Sequence, residues 1–159
     1  MSKEEGRKEG GGKEGDAIEG ESLTMIINKR DLTLLNEFAQ KNTPLESCAI
    51  LIGKRKHNQF SVLEVVQMEN DYKSEIKFTI NEEKLFAVYK KAESTNLSVV
   101  GIYHTHPSNP TTPSKTDIKY MEINPVPWII NSTLTIETKC YIYNENDGDV
   151  MEIELTVMD

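Results

Sequence analysis

The chain has 159 residues, 28% of them charged, with a formal net charge of −8, a length that suits one domain with a real core and is short for two. This acidity, without any Lys/Arg stripe, argues against binding a phosphate backbone, so no nucleic-acid partner is expected. No apolar stretch approaches the ~18 residues of a membrane span, and the N-terminus is polar rather than a signal-peptide core, which predicts a cytoplasmic protein with no membrane partner.

Residues 1–22 hold six of the nine glycines, seven acidic and four basic residues, the composition of a disordered charged tail. The tail carries −3 of the charge and leaves −5 to residues 23–159, the expected domain. A strand is predicted over Leu23–Ile27, then a helix whose Leu32, Leu35, Phe38 and Ala39 share one face. Thr43-Pro44 ends it, because the residue before proline avoids the helical region. Ser47–Gly53 and Phe60–Met68 are apolar and β-leaning, and the charged loop Lys54–Gln59 between them suggests a hairpin. Lys77–Ile80 reads as another strand. Asn81 is an N-cap candidate ahead of Glu82 and Glu83, and Leu85, Val88, Tyr89 and Ala92 complete a helical stripe; Phe86, like Tyr89, is expected at its core or shoulder.

The run Leu97–Tyr103 is a strand that delivers His104 and His106 into a loop stiffened by Pro107, Pro110 and Pro113. Ser114 opens a helix to about Ile123, Pro125 and Pro127 close it, and Trp128–Asn131 is a strand. Lys139–Tyr143 pairs with Val150–Val157 across residues 144–149, with Met151, Ile153, Leu155 and Val157 alternating on the dry face. The order β-α-β-β-β-α-β-α-β-β-β predicts an α/β fold, a mixed central sheet flanked by helices in three layers.

Histidines at i and i+2 leave a strand on the same face, so both imidazoles can reach one metal. Asp117, eleven residues after His106, adds a carboxylate, and three protein ligands with an open fourth position distinguish a catalytic zinc from a structural one. Such an ion keeps a net positive charge and can lower the pKa of its water from ~15.7 toward ~7. Glu46 is the upstream carboxylate suited to general base and then general acid, and Ser114 can donate to a tetrahedral oxyanion. The reaction class is metal-assisted amide hydrolysis. Taken alone, Ser114-x-x-Asp117 is a helix capping box, a role compatible with the first. His57 belongs to a solvated hairpin tip and is excluded as a ligand. The sequence does not say whether Cys48 and Cys140 meet, and two cysteines indicate neither a disulfide framework nor a thiolate site; Cys48 reads as core rather than nucleophile.

These residues carry a family resemblance. Pro44-Leu-Glu46-Ser-Cys48-Ala-Ile-Leu-Ile-Gly53, Gly101-Ile-Tyr-His104-Thr-His106-Pro107 and Pro113-Ser114-Lys-Thr-Asp117 are similar to the E…HxHx₇Sx₂D signature of the JAMM (MPN+) metalloproteases, whose fold is cytidine-deaminase-like. The resemblance runs from about Leu23 to the C-terminus. It implies one zinc per chain on His104, His106 and Asp117, with Glu46 as acid/base and Ser114 at the oxyanion. It also implies an isopeptidase whose partner is a ubiquitin-like protein or its conjugates. The long insertions of eukaryotic members are missing, so the pattern is more similar to compact archaeal members. Asn70, Phe78 and Trp128-Ile129-Ile130 resemble family positions without a catalytic role. The rival expectations are a catalytically silent scaffold of the same fold and a peptidase that trims the C-terminus of a sulfur-carrier protein.

Overall fold

The computed structural model describes residues 22–69 and 81–159. The expected tail up to residue 21, the strand Lys77–Ile80, Asn70 and Phe78 lie outside the described residues. The elements run β1 (Thr24–Asn28), α1 (Lys29–Asn42), β2 (Cys48–Lys56), β3 (Gln59–Met68), α2 (Glu82–Ser94), β4 (Ser98–His106), α3 (Lys115–Ile123), β5 (Trp128–Ser132), β6 (Glu137–Asn144) and β7 (Asp149–Met158).

Local signals set most of these boundaries. Asn28 caps α1 by accepting from Asp31 N–H at 2.7 Å and donating back to the Asp31 carboxylate at 2.9 Å, so two otherwise orphaned polar groups at the helix start are satisfied. Asn81 caps α2 in the same way, accepting from the Glu83 and Lys84 amides. The β2–β3 hairpin forms in antiparallel register, but its ladder runs out to Lys56 and Gln59. The expected six-residue loop is therefore only the turn at His57 and Asn58.

The sheet is mixed, as expected, but it is not the middle of three stacked layers. β1 pairs in parallel with β3 along one edge and with β7 along the other, so the order β1-β3-β2-β4-β5-β6-β7 closes on itself. Strand twist is what brings β3 and β7, the two ends of the six other strands among the described residues, within reach of the short strand β1. Close packing across the sheet depends on Gly101, where a Cβ would stand 2.5 Å from Met25 Cε and 3.0 Å from the Pro127 carbonyl oxygen.

Strand alternation sorts the core into two clusters on opposite faces. Met25, Ile27, Ala49, Leu51, Tyr103 and Ile129 gather with Leu35 and Ala39 of α1. Cys48, Ile50, Ile52, Ile102 and Ile130 gather with Ala92 of α2 and Met121 of α3. Two stripes are narrower than predicted. Along α2 only Ala92 is fully buried, with Leu85 and Val88 at the margin, while Tyr89 and Phe86 are exposed. Along β7 only Ile153 is buried and Leu155 partly so, while Met151 and Val157 are exposed although both are paired, Met151 with Ile142 and Val157 with Ile27. Among the described residues no helix is long and apolar enough to cross a membrane.

Candidate metal centre

The site grows from the end of β4, which lies between antiparallel β2 and parallel β5. β4 continues through His106, so both histidines belong to the strand itself rather than to the loop after it. This follows from pairing: His104 is in register with Cys48 and Ile130, and His106 with Ser132. Both side chains therefore leave on the face of Ile102, the face covered by α3. Their rings meet edge to face at 5.2 Å, and Trp128 stands edge-on to His104 at 6.3 Å.

Asp117 arrives from the first turn of α3. Ser114 is the N-cap, and a capping box ties the two together: Asp117 N–H donates to Ser114 Oγ at 3.0 Å, and Ser114 N–H donates to Asp117 Oδ2 at 2.9 Å. Met121, one turn on, is wholly buried in the cluster beneath, and a residue four positions earlier shares that face. The packing of Met121 thus aims Asp117 at the histidines.

Asp117 Oδ1 lies 3.1 Å from His104 Nε2 and Oδ2 lies 2.8 Å from His106 Nε2. All three residues are buried, and their candidate ligand atoms fall within 4.8 Å of one another. Two ligands ~2.0–2.1 Å from one tetrahedral ion stand ~3.3 Å apart, so the three donors are spaced to share a cation. The second shell agrees. His106 Nδ1 donates to the Pro110 carbonyl at 2.6 Å, which orients the ring and leaves Nε2 as the ligating nitrogen.

Electrostatics point the same way. Burial pushes the His106 pKa down, but hydrogen bonds to Asp117 and the Pro110 carbonyl outweigh it and raise the value above the ordinary imidazole range. Burial pushes Asp117 up, yet hydrogen bonds from His104 and His106 hold its carboxyl far below the usual carboxylate range. The pocket is built to surround positive charge, and a divalent cation between these groups would supply it in place of a ring proton.

Glu46, in the segment ahead of β2, is 8% exposed, and its Oε1 is 3.6 Å from His104 Nε2. Burial raises its pKa, opposed by the charge of His104. Ser114 stands at the exposed rim with its hydroxyl in the cap. The structure thus brings Glu46, His104, His106, Ser114 and Asp117 into one neighbourhood. It sets His57 apart in the β2–β3 turn, at the other end of β2 from Cys48. Cys48 and Cys140 are buried free thiols in different clusters, and burial pushes both thiols well up, away from the thiolate form that a nucleophile needs.

Some supports had no signal in the sequence. The Pro110 carbonyl is a backbone group, and the loop that carries it is held on either side by Ser132 Oγ donating to Asn109 O at 2.6 Å and by Thr111 Oγ1 3.0 Å from the Tyr141 hydroxyl.

Residues 29–141 match the model of the prokaryotic homologues of the JAB domain. A desampylase of Pyrococcus furiosus is 31% identical over 134 residues, which cover 84% of this chain and 91% of that protein. Two solution structures share the fold. A Desulfitobacterium hafniense protein superposes with a TM-score of 0.75 at 20% identity, over 85% of this chain and 93% of that one. A Salinibacter ruber protein does so with a TM-score of 0.62 at 21% identity, over 85% and 92%.

Proposed function

The chain belongs to the prokaryotic JAB-domain family, and from that premise we propose that it is a zinc-dependent isopeptidase. Its substrate in this reading is the amide bond between the C-terminal Gly of a ubiquitin-like modifier and a lysine or peptide amine. The observation that carries the reading is the buried convergence of His104, His106 and Asp117 with Glu46 beside them. Support for the substrate class comes from the likeness to a desampylase along most of both chains.

His104 and His106 would hold the zinc from one strand face and Asp117 from the capped turn of α3. When bound, the ion supplies Lewis acidity, polarising the scissile carbonyl and acidifying the attacking water. Glu46 takes the proton from that water and later hands it to the leaving amine. A carboxyl whose pKa is raised by burial is suited to hold a proton between the two steps. The Ser114 hydroxyl accepts the Asp117 amide through its oxygen, which leaves its O–H to donate to the oxyanion.

The test is cleavage of a small ubiquitin-like protein whose C-terminal Gly-Gly is joined to a lysine ε-amine. Release of the modifier, abolished by chelation and restored by zinc, is expected; turnover that persists in excess chelator would contradict a zinc enzyme. A protein that trims only short C-terminal extensions and leaves the lysine conjugate intact would redirect the reading to the processing of a carrier protein.

A further inference from the structure

We infer that Thr105, the residue between the two histidines, is a positioning residue that sets Glu46 against them. The inference rests on the function proposed above. The last ladder pair between β2 and β4 is Cys48 with His104. One position further, Thr105 N–H donates to Ser47 O at 3.1 Å in the usual way. The return bond is different: Ser47 N–H donates to the Thr105 side-chain Oγ1, at 2.7 Å and fully buried. A side-chain hydroxyl does the work of a strand carbonyl just where β2 gives way to the segment that carries Glu46.

This pair of bonds fixes residue 47 to the middle of the His-Thr-His triplet. Ser47 is buried, and its own hydroxyl finds no hydrogen-bond partner among the described residues, so its backbone is what holds it. Glu46 is the next residue back, and Thr105 is flanked by both candidate ligands. One side chain therefore links the carboxylate, 3.6 Å from His104 Nε2, to the strand that carries the imidazoles. Removing the acceptor would also leave the buried Ser47 amide unpaired, and an unpaired buried donor drives local backbone movement. A misplacement of about 1 Å at a reacting group can cost about a hundredfold in rate.

The test compares Thr105→Val, which keeps the shape and loses the acceptor, with Thr105→Ser, which keeps the acceptor. Each is measured for zinc per chain, for kcat and KM on the lysine conjugate, and for hydrogen exchange at the Ser47 amide. The expected result for Thr105→Val is wild-type zinc content and KM, a kcat lowered about ten- to a hundredfold, and faster exchange at Ser47. Thr105→Ser should restore all of these. If Thr105→Val does not fold, Thr105→Ala carries the same comparison. Wild-type kcat in the acceptor-free variant would overturn the inference. So would a rate loss that merely tracks lost zinc, which would assign Thr105 to the metal ligands, or a Ser variant as slow as Val. A wild type that leaves the conjugate intact would instead defeat the function proposed above, and the inference would fall with it.

Discussion

Ser47 shows how finely the neighbourhood of the site is divided among its atoms. Its backbone is clamped by Thr105, while its buried Oγ has no partner among the described residues. A buried unpaired hydroxyl costs ~1–3 kcal/mol relative to one that is bonded or exposed. Ser47→Ala should therefore be neutral or stabilising by up to about 1 kcal/mol, read as an unchanged or higher urea midpoint, and a loss of stability would mean that the hydroxyl has a partner. At this scale the candidate donors were legible: strand periodicity puts His104 and His106 on one face, and the capping pattern places Asp117 at a helix start. Thr105 was not. Its part depends on meeting Ser47, 58 residues earlier in the chain, and that is a fact of register that no local pattern encodes. The Pro110 carbonyl was equally hidden, because any residue offers a carbonyl.

Among the elements, helix starts were read well because caps are short-range chemistry: Asn81 and Ser114 both occupy the N-caps expected of them. Asn28 also caps a helix, but the strand β1 runs directly into it. The site end of β4 was misjudged. The strand was expected to end at Tyr103 and deliver the histidines into the proline-rich loop, yet pairing with β5 extends it to His106. The hairpin between β2 and β3 was found, while its irregularity was not: the register slips between Ile52 and Gly53. Gly53 marks that place, since a Cβ there would collide with the Ser61 carbonyl oxygen. Backbone cannot swing aside as the end of a side chain can, so Gly53→Ala should cost at least about 1–3 kcal/mol. Denaturant unfolding checks this, and a variant as stable as the parent would show that the two strands separate freely.

On the scale of the whole molecule, the sequence conveyed a mixed α/β chain but not how its sheet ends. Alternation tells which face of a strand is dry; it does not tell that β1 will pair with both β3 and β7. Closure joins the first strand to the last among the described residues, a pairing of segments about 130 residues apart (Thr24 with Glu154). The candidate metal site in turn joins β4 to α3, so zinc should stabilise the fold as a whole. At a thousandfold excess of free zinc over its Kd the linkage is about 4 kcal/mol, on the order of 10 °C in Tm for a chain of this size. Chelation should lower the Tm by that amount and zinc restore it; a Tm indifferent to both would speak against a bound ion. The central claim, an isopeptidase in which His104, His106 and Asp117 hold zinc while Glu46 moves the proton, is tested most directly by Glu46→Gln, with zinc counted and turnover of the lysine conjugate followed in the same sample. The account predicts one zinc per chain and a kcat lowered about 10²- to 10⁴-fold; a zinc-loaded Glu46→Gln protein that cleaves as fast as the parent would contradict it.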